Sequence, residues 1–330
     1  MKNLFTRREC RKSVPPRDSV APAGRCYAAD FTLLALIAMH AHIADQYLSL
    51  LKKSVLDELY IENEARLAYY GLCAATRTAP DLHVVRDIAG RRPDLVQRLR
   101  DARAEGGIAF IWPVVAADGT QKHLNLRNIS EFYHSMIGRK RLDNIQELID
   151  RVLADQVPGD LIETGVWRGG ATVFMRGVLA ARGVHDRTVW VADSFAGLPV
   201  PSDPHDAGHD FSATRFPILA ISRAEVEDLF RRYDLLDERV RFLEGWFKDT
   251  LPGAPITALA LMRLDGDLYE STMDALNALY GKLAPGGFVI VDDYHDFEPC
   301  RRAVDTFRAT HGISSPLAPV DWTCVWWRKP

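Results

Sequence analysis

Cysteine is scarce and unpaired in this chain. Its 330 residues include five cysteines, at positions 10, 26, 73, 300 and 324, and no two of them form a C-x-x-C pair. An odd, scattered set argues against a disulfide framework and against a thiolate zinc site, and it fits the reducing cytosol. We therefore expect a cytoplasmic protein.

The chain also lacks a strong net charge and a membrane-length apolar run. Its 41 Lys and Arg residues nearly balance 44 Asp and Glu residues, which leaves a formal charge of -3. A near-neutral chain has no global electrostatic reason to bind nucleic acid or an anionic membrane, so we expect neither partner. An apolar run over residues 31–44 is interrupted by His40 and His42 and is too short to span a bilayer.

Residues 1–45 are predicted to form a basic leader followed by an apolar helix. The first 27 residues contain seven Lys or Arg, two acids and three prolines, a composition that disfavours packing. Arg7-Arg8 is typical of a twin-arginine signal, but no small-x-small cleavage site precedes a plausible mature start. We therefore expect no export; the alternative is that the working protein begins at or near Met39.

Residues 46–157 are predicted to form a mostly helical region, because apolar residues recur there at helical spacing. The predicted elements are a helix over 46–68, a helix over 94–105, a strand over 108–116 that a turn at Asp118-Gly119 ends, and helix-rich chain over 127–154. Residues 72–93 contain Pro80, Gly90 and Pro93 and allow no assignment.

Strands and helices alternate over residues 158–330. The predicted strands are 160–164, 188–192, 240–243, 258–264, 287–291 and 323–327, and the predicted helices are 171–181, 223–233, 269–283 and 299–310. This alternation predicts an α/β domain with a parallel, doubly wound sheet that is covered on both faces. Ligands of such sheets bind at the carboxyl ends of the strands.

The first strand leads into a glycine-rich turn, E-T-G-V-W-R-G-G, at residues 163–170. Gly165 and Gly169 permit a sharp turn and a close approach of a ligand to the backbone. The G-x-G-x-x-G fingerprint that cradles a pyrophosphate is missing, which argues against a nicotinamide-dependent oxidoreductase. Glu163 and Thr164 open the turn. The acid, Glu163, repels phosphate and attracts a cation or amine. S-adenosylmethionine carries an ammonium and a sulfonium and no phosphate, so it fits this turn.

Two further strand ends complete the predicted donor site. Asp193, at the end of the second strand, lies 30 residues after Glu163 and is placed to accept hydrogen bonds from ribose hydroxyls, with Ser194 beside it. The third strand leads to Gly245-Trp246-Phe247, where aromatic and backbone groups suit a purine. Each feature alone has a structural explanation as a turn or a helix cap. Their order on one sheet predicts a site for the methyl donor.

Carboxylates follow the fourth and fifth strands. Asp265 and Asp267 close the fourth strand, and Asp292 and Asp293 close the fifth. If these strands are neighbours, the carboxylates converge, and burying unpaired carboxylates is costly unless a cation relieves their repulsion. An all-oxygen site favours Mg²⁺, with Mn²⁺ or Ca²⁺ as alternatives. The structural alternative is a solvated turn and a helix cap.

A metal at this edge would bind two vicinal oxygens of a substrate and lower the pKa of the reacting hydroxyl. A base must then take the proton. Asp267 and His295 are the two candidates, since both lie beside the acids. A surface-loop histidine is an equally good explanation of His295.

Five long motifs carry a family resemblance: M-I-G-R-K-R-L-D-N (136–144), D-L-I-E-T-G-V-W-R-G-G (160–170), D-R-T-V-W-V-A-D-S-F-A-G-L-P (186–199), L-D-G-D-L-Y-E-S-T (264–272) and G-G-F-V-I-V-D-D-Y (286–294). In them the sequence resembles the macrocin O-methyltransferase family, the metal-dependent sugar O-methyltransferases of macrolide and aminocoumarin antibiotic pathways. The resemblance covers roughly residues 47–330, is weak over 60–128 and does not include 1–45.

The resemblance implies a class I S-adenosylmethionine-dependent methyltransferase fold, with residues 46–157 as a lid over the acceptor and 158–330 as the catalytic domain. It further implies a dimer or higher oligomer. In such enzymes the segment of Met136 lies near donor and acceptor. The implied roles are Asp267 as general base and, as Mg²⁺ ligands, Asp265, Asp292 and Asp293.

The sequence as a whole therefore predicts an S-adenosylmethionine- and Mg²⁺-dependent O-methyltransferase that acts on a deoxysugar hydroxyl of a glycosylated natural product. Three alternatives stay open. In the first, the acceptor is a phenolic or catechol hydroxyl. In the second, it is an amine. In the third, the protein is a scaffold that binds S-adenosylmethionine without turnover.

Overall fold

The computed structural model describes residues 25–106, 111–115, 119–125 and 133–330. The predicted leader up to residue 24, and parts of the predicted segments 108–116 and 127–154, lie outside these residues. The helices are α1 (Arg25–Val55), α2 (Ile61–Thr76), α3 (Leu82–Arg86), α4 (Ile88–Arg91), α5 (Pro93–Glu105), α6 (Gly138–Ala154), α7 (Gly170–Ala181), α8 (Arg223–Arg232), α9 (Phe247–Thr250), α10 (Tyr269–Leu279) and α11 (Glu298–Thr310). Within the described chain, no helix has both the length and the apolarity to cross a membrane.

The chain divides into two compact units. The helix α1 runs from one into the other: its residues up to Ile43 belong to the first unit, and those from Ala44 belong to the second, which extends to Pro330. All the strands of the described residues lie in the second unit. They are β1 (Ile111–Val115), β2 (Gln121–Asn125), β3 (Asp160–Thr164), β4 (Val189–Asp193), β5 (Val240–Glu244), β6 (Leu259–Leu264), β7 (Leu283–Val291), β8 (Ala318–Pro319) and β9 (Val325–Arg328).

The main sheet has seven strands in the order β5-β4-β3-β6-β7-β9-β8, and β1 and β2 form a separate antiparallel pair. The pairs from β5 to β7 are all parallel, which confirms the predicted α/β sheet. The strand predicted over 323–327, however, is antiparallel to β7. The short strand β8, which sequence analysis missed, precedes β9 and pairs with it antiparallel, so this hairpin reverses the chain where a helix would have kept it parallel.

The sheet buries both of its faces, as its apolar strands predict. On β3, Leu161 packs into the core that contains α6 and α7, whereas the next residue, Ile162, packs into the core that contains α10 and α11. Successive side chains of a strand point to opposite faces, so a strand that is apolar at every position must be covered twice. The strand ends are left as the place for a site.

The helix predicted over 46–68 is wrong as one piece. The structure ends α1 at Val55 and begins α2 at Ile61, and between them Asp57 has a φ of 54°. A left-handed residue interrupts a helix, but the apolar spacing gives no sign of it, because Leu56 continues the buried stripe through the break. The unassigned residues 72–93 contain the end of α2 together with α3 and α4.

The helix predicted over 269–283 is also too long. It ends at Leu279, a 3₁₀ turn follows, and β7 begins at Leu283, four residues before the predicted strand. Pro285 and the glycines after it indicate a loop, yet they lie within β7. A shift of register opposite this part of β7, between Leu259 and Leu261 of β6, accommodates them.

The last turns of α1 pack directly on α7. A Cβ at Gly177 of α7 would lie 2.3 Å from Leu51 Cδ2 of α1, so a larger residue there would displace the Leu51 side chain. Leu48, Leu51 and Val55 are buried in the same core as α6 and α7. The start of the predicted lid region is therefore part of the core on one face of the main sheet.

This packing predicts unequal effects of two neighbouring leucines. Leu48 is completely buried, whereas Leu50 is 54% exposed on the same helix. Leu48→Ala should lower the free energy of unfolding by about 2–5 kcal/mol, and Leu50→Ala should change it by less than about 0.5 kcal/mol. Guanidinium-chloride unfolding of both variants measures the difference. A loss at Leu48 as small as that at Leu50 would show that this part of α1 does not contribute to the core.

Candidate active site

A cleft of about 970 Å³ opens at the carboxyl edge of the main sheet. It brings together twelve of the fifteen residues that the sequence predicts for the site. These are Met136, Glu163, Gly165, Asp193, Ser194, Gly245, Trp246, Phe247, Asp265, Asp267, Asp292 and Asp293. Thr164, Gly169 and His295 are not among its lining residues: Thr164 is buried within β3, Gly169 precedes α7, and the side chain of His295 is exposed beside Tyr294.

Glycine is required at two positions of the turn after β3. Gly165 has a φ of 85°, and a Cβ there would lie 1.7 Å from the carbonyl oxygen of Asp265. Gly169 has a φ of 87°, and a Cβ there would lie 2.6 Å from Val226. The turn is therefore pressed against the end of β6 on one side and against α8 on the other. Gly169 therefore shapes the turn through its contact with α8 and does not itself line the cleft.

Asp193 holds the same turn from the end of β4. Its two carboxylate oxygens accept hydrogen bonds from the backbone amides of Val166 at 2.8 Å and Phe195 at 2.7 Å. Burial raises the pKa of Asp193, and these amide bonds oppose that rise. Ser194 closes the next turn by donating to the carbonyl of Gly197 at 2.6 Å. The carboxylate thus fixes the donor turn, and it lines the cleft, where a ligand can contact it.

Aromatic side chains stand at the end of β5. Gly245 has a φ of 133° and turns the chain into the cleft, where Trp246 is 37% exposed and Phe247 is partly buried. An exposed indole on a lining wall is a flat apolar surface for a planar ligand. This arrangement fits the predicted adenine side of the donor site.

Arg263 pairs with acids at the ends of three strands. It lies near the end of β6, is completely buried, and its guanidinium pairs with Glu163 of β3, with Asp265 at 2.8 Å and with Asp292. Burial, partly offset by Arg263, raises the pKa of Glu163 to about 8. One buried cation therefore connects the ends of β3, β6 and β7.

A second arginine clamps the far side of this group. Arg141 of α6 pairs with the other oxygen of Asp292 and donates from Nε to Asp321 at 2.7 Å. Arg141 and Arg263 are both buried. Two guanidinium groups therefore hold the carboxylate of Asp292. Sequence analysis missed Arg141 and Arg263. The available signal was a lone arginine inside the apolar strand L-A-L-M-R-L, because a buried arginine requires an acidic partner.

Three carboxylates converge beside the arginine group. Among the described residues, Asp265, Asp267 and Asp293 each place an oxygen within 4.8 Å of the others. Asp267 reaches this position with a φ of 56°, a strained conformation of the kind that collects at functional sites. The converging group therefore differs from the predicted ligand set, which is Asp265, Asp292 and Asp293. It contains Asp267 in place of Asp292, and the two arginines hold Asp292.

The electrostatics of this group fit a divalent cation. Burial and then repulsion by Asp292 raise the pKa of Asp265 to about 6, and burial and then repulsion by Asp265 raise that of Asp267 to about 7. Burial and the same neighbours raise the pKa of Asp293 well above its ordinary value, and its Oδ2 is buried without a hydrogen-bond partner. Oxygen donors that repel one another in a cleft are the ligand set that a hard cation stabilises.

Fold and site together define the class of protein. A seven-stranded sheet in this order, a glycine turn after its first parallel strand and acids at the next strand ends are those of a class I S-adenosylmethionine-dependent methyltransferase. The structure of the O-methyltransferase NovP has the same fold: it is 41% identical, superposes with a TM-score of 0.67, and the match covers 87% of this chain and 99% of that one.

The chain belongs to the macrocin-O-methyltransferase (TylF) family, whose model matches residues 44–329. It is 56% identical over 198 residues to the demethyldecarbamoylnovobiocin O-methyltransferase of Streptomyces niveus, across 59% of this chain and 76% of that protein. It is 52% identical over 200 residues to the mycinamicin III 3''-O-methyltransferase of Micromonospora griseorubida, across 59% and 78%. The predicted family, fold class and enzyme class are confirmed: this is an S-adenosylmethionine-dependent O-methyltransferase.

The buried arginine yields a stability prediction. Arg263→Leu should lower the free energy of unfolding by about 3–5 kcal/mol, because it leaves buried carboxylates without their counter-charge. Arg302→Leu, which breaks an exposed pair with Glu298, should cost less than about 1 kcal/mol. Urea unfolding of the two variants compares them. A loss at Arg263 no larger than that at Arg302 would mean that the carboxylates do not depend on this cation.

Proposed function

We propose that this enzyme methylates a hydroxyl group on a deoxysugar of a glycosylated natural product, with S-adenosylmethionine as donor and with Mg²⁺. Two relatives support the sugar acceptor. One is named as acting on the 3'' position of mycinamicin III. The other, 56% identical over 197 residues, is the 8-demethyl-8-(2,3-dimethoxy-alpha-L-rhamnosyl)-tetracenomycin-C 4'-O-methyltransferase of Streptomyces olivaceus.

The observation that carries the metal dependence is the convergence of carboxylates in the donor cleft. Asp265, Asp292 and Asp293 are the proposed ligands of the cation. Asp292 is fixed by its two arginines, and the oxygens of Asp265 and Asp293 approach one another. A bound Mg²⁺ would supply a positive charge that favours loss of the proton from a nearby hydroxyl.

The donor side of the cleft orients the other reactant. S-adenosylmethionine supplies an electrophilic methyl group on a sulfonium centre. The turn at Gly165, the carboxylate of Asp193 and the indole of Trp246 line the side of the cleft formed by β3, β4 and β5. Placing donor and acceptor on adjacent strand ends turns an encounter of two molecules into a reaction within one site.

Asp267 is the proposed general base. It is in the converging group, it lines the cleft, and its strained backbone aims it there. When the acceptor oxygen forms its bond to the methyl group, the bond from that methyl group to the sulfonium sulfur breaks and S-adenosylhomocysteine leaves. The hydroxyl proton passes to an Asp267 carboxylate oxygen. His295 is a weaker candidate, because it is exposed and does not line the cleft.

Substitution of Asp267 separates a base from a ligand. Asp267→Asn should reduce kcat by about 10²–10⁴-fold, the range for loss of a general base. It should leave the affinities for Mg²⁺ and S-adenosylhomocysteine within threefold of wild type by calorimetry. Asp228→Asn, on the exposed surface of α8, is the control and should keep full activity. Loss of Mg²⁺ binding in Asp267→Asn would instead make this residue a ligand.

Removal of the metal tests the acceptor chemistry. EDTA should abolish turnover and Mg²⁺ should restore it, because the proposed acceptor binds to the cation through two vicinal sugar oxygens. Asp265→Ala should have no metal-dependent activity while it still binds S-adenosylhomocysteine. Full activity in EDTA would contradict the metal requirement and would favour an amine acceptor.

A further inference from the structure

Trp322 is an exposed aromatic residue on the wall of the cleft that neither the donor site nor the carboxylate group uses. It lies in the turn between β8 and β9, and 43% of its surface is exposed, although the side chain of Asp321 before it and the whole of Thr323 after it are buried. It lines the same cleft as Asp267 and Asp293. A large apolar side chain kept in water beside a reaction site is a contact surface for a ligand.

The turn that presents Trp322 is held rigidly. Asp321 accepts hydrogen bonds from the backbone amides of Thr323 at 3.0 Å and Cys324 at 2.9 Å, and from Arg141 on its other oxygen. The hydroxyl of Thr323 donates to the backbone carbonyl of Asp292 at 3.1 Å. The backbone on both sides of the indole is thus bonded to the carboxylate group. A preorganised aromatic group loses little conformational entropy when a ligand covers it.

The sheet order places Trp322 on the side of the cleft away from the donor. The donor groups follow β5, β4 and β3, and the proposed metal ligands follow β6 and β7. The next strand is β9, whose first residue, Val325, pairs with Val291 at the end of β7. Along the carboxyl edge the order is therefore donor wall, carboxylates, Trp322. An acceptor whose hydroxyl lies at the carboxylates extends away from the donor and reaches Trp322.

We propose that Trp322 is a specificity-determining residue that packs its indole against an apolar face of the acceptor's sugar ring. This inference rests on the proposed function, since it assumes a sugar hydroxyl at the carboxylates. Trp246 is the natural control, because it is a second exposed tryptophan of the cleft on the donor side. The two indoles should respond to different reactants.

Fluorine NMR of the enzyme labelled with 5-fluorotryptophan tests this assignment without turnover. The chain has seven tryptophans, and the spectra of Trp322→Phe and Trp246→Phe assign the two relevant signals. With Mg²⁺ present, S-adenosylhomocysteine should shift the Trp246 signal and leave that of Trp322 in place. Addition of the 4-nitrophenyl glycoside of a 6-deoxyhexose should then shift the Trp322 signal.

Kinetics with the same glycoside give the second measurement. Trp322→Ala should raise its KM roughly tenfold or more, change kcat less than threefold, and keep the Kd for S-adenosylhomocysteine within twofold. Trp322→Phe should recover most of the affinity. Trp246→Ala should show the reverse pattern, with a weakened Kd for S-adenosylhomocysteine.

Three results would overturn the assignment of Trp322 to the acceptor. Weakened S-adenosylhomocysteine binding in Trp322→Ala would place this indole on the donor side, and a fall in kcat at constant KM would mean that it acts through the carboxylates. If the wild-type enzyme binds S-adenosylhomocysteine but not the glycoside, the sugar acceptor itself is wrong. Catechol is then the probe: a shift of the Trp322 signal keeps it as an acceptor contact, and an unmoved signal refutes that role.

Discussion

The ion pairs of Arg263 are the interaction on which the site depends. Parallel strands bring their carboxyl ends to one edge, and in this chain those ends carry acids that repel one another. A guanidinium at the end of β6 meets acids of β3, β6 and β7 at once, and it is fully removed from water. Buried charges persist only when they are paired. This arginine therefore lets the sheet end in acids without losing its packed core.

Because of this arrangement, the two sides of the sheet edge carry different parts of the site. On one side the glycine turn and Asp193 shape the donor wall, and on the other side Arg141 connects Asp292 to the turn of Trp322. The donor wall, the carboxylates and the proposed acceptor wall follow the strand order, so their spacing is set by the distance between strands. A change in the turn before β9 would therefore alter the proposed acceptor wall without touching the donor wall.

Sequence patterns predicted residues that line one cleft where chemistry and spacing coincide, and they failed where packing decides. The glycine turn and the acids at the ends of β4, β6 and β7 were predictable from their order along one alternating sheet, although each alone has a structural explanation. The break at Asp57 and the reversed strand β9 were not, because the apolar spacing is the same with or without them. Arg141 and Arg263 lie far from each other in the chain, and only the fold shows that they share Asp292.

The charges around the cleft support the proposed cation and the proposed base. Burial raises the pKa of Glu163, Asp265, Asp267 and Asp293, so the ionised form of each is unfavourable without a positive partner. Among the described residues, Arg141 and Arg263 pair with Glu163, Asp265, Asp292 and Asp321, whereas no ion pair reaches Asp267 or Asp293. A divalent cation at the converging carboxylates would supply the missing positive charge. A carboxylate whose pKa is raised towards neutrality is also suited to accept the proton that an acceptor hydroxyl would lose on methylation.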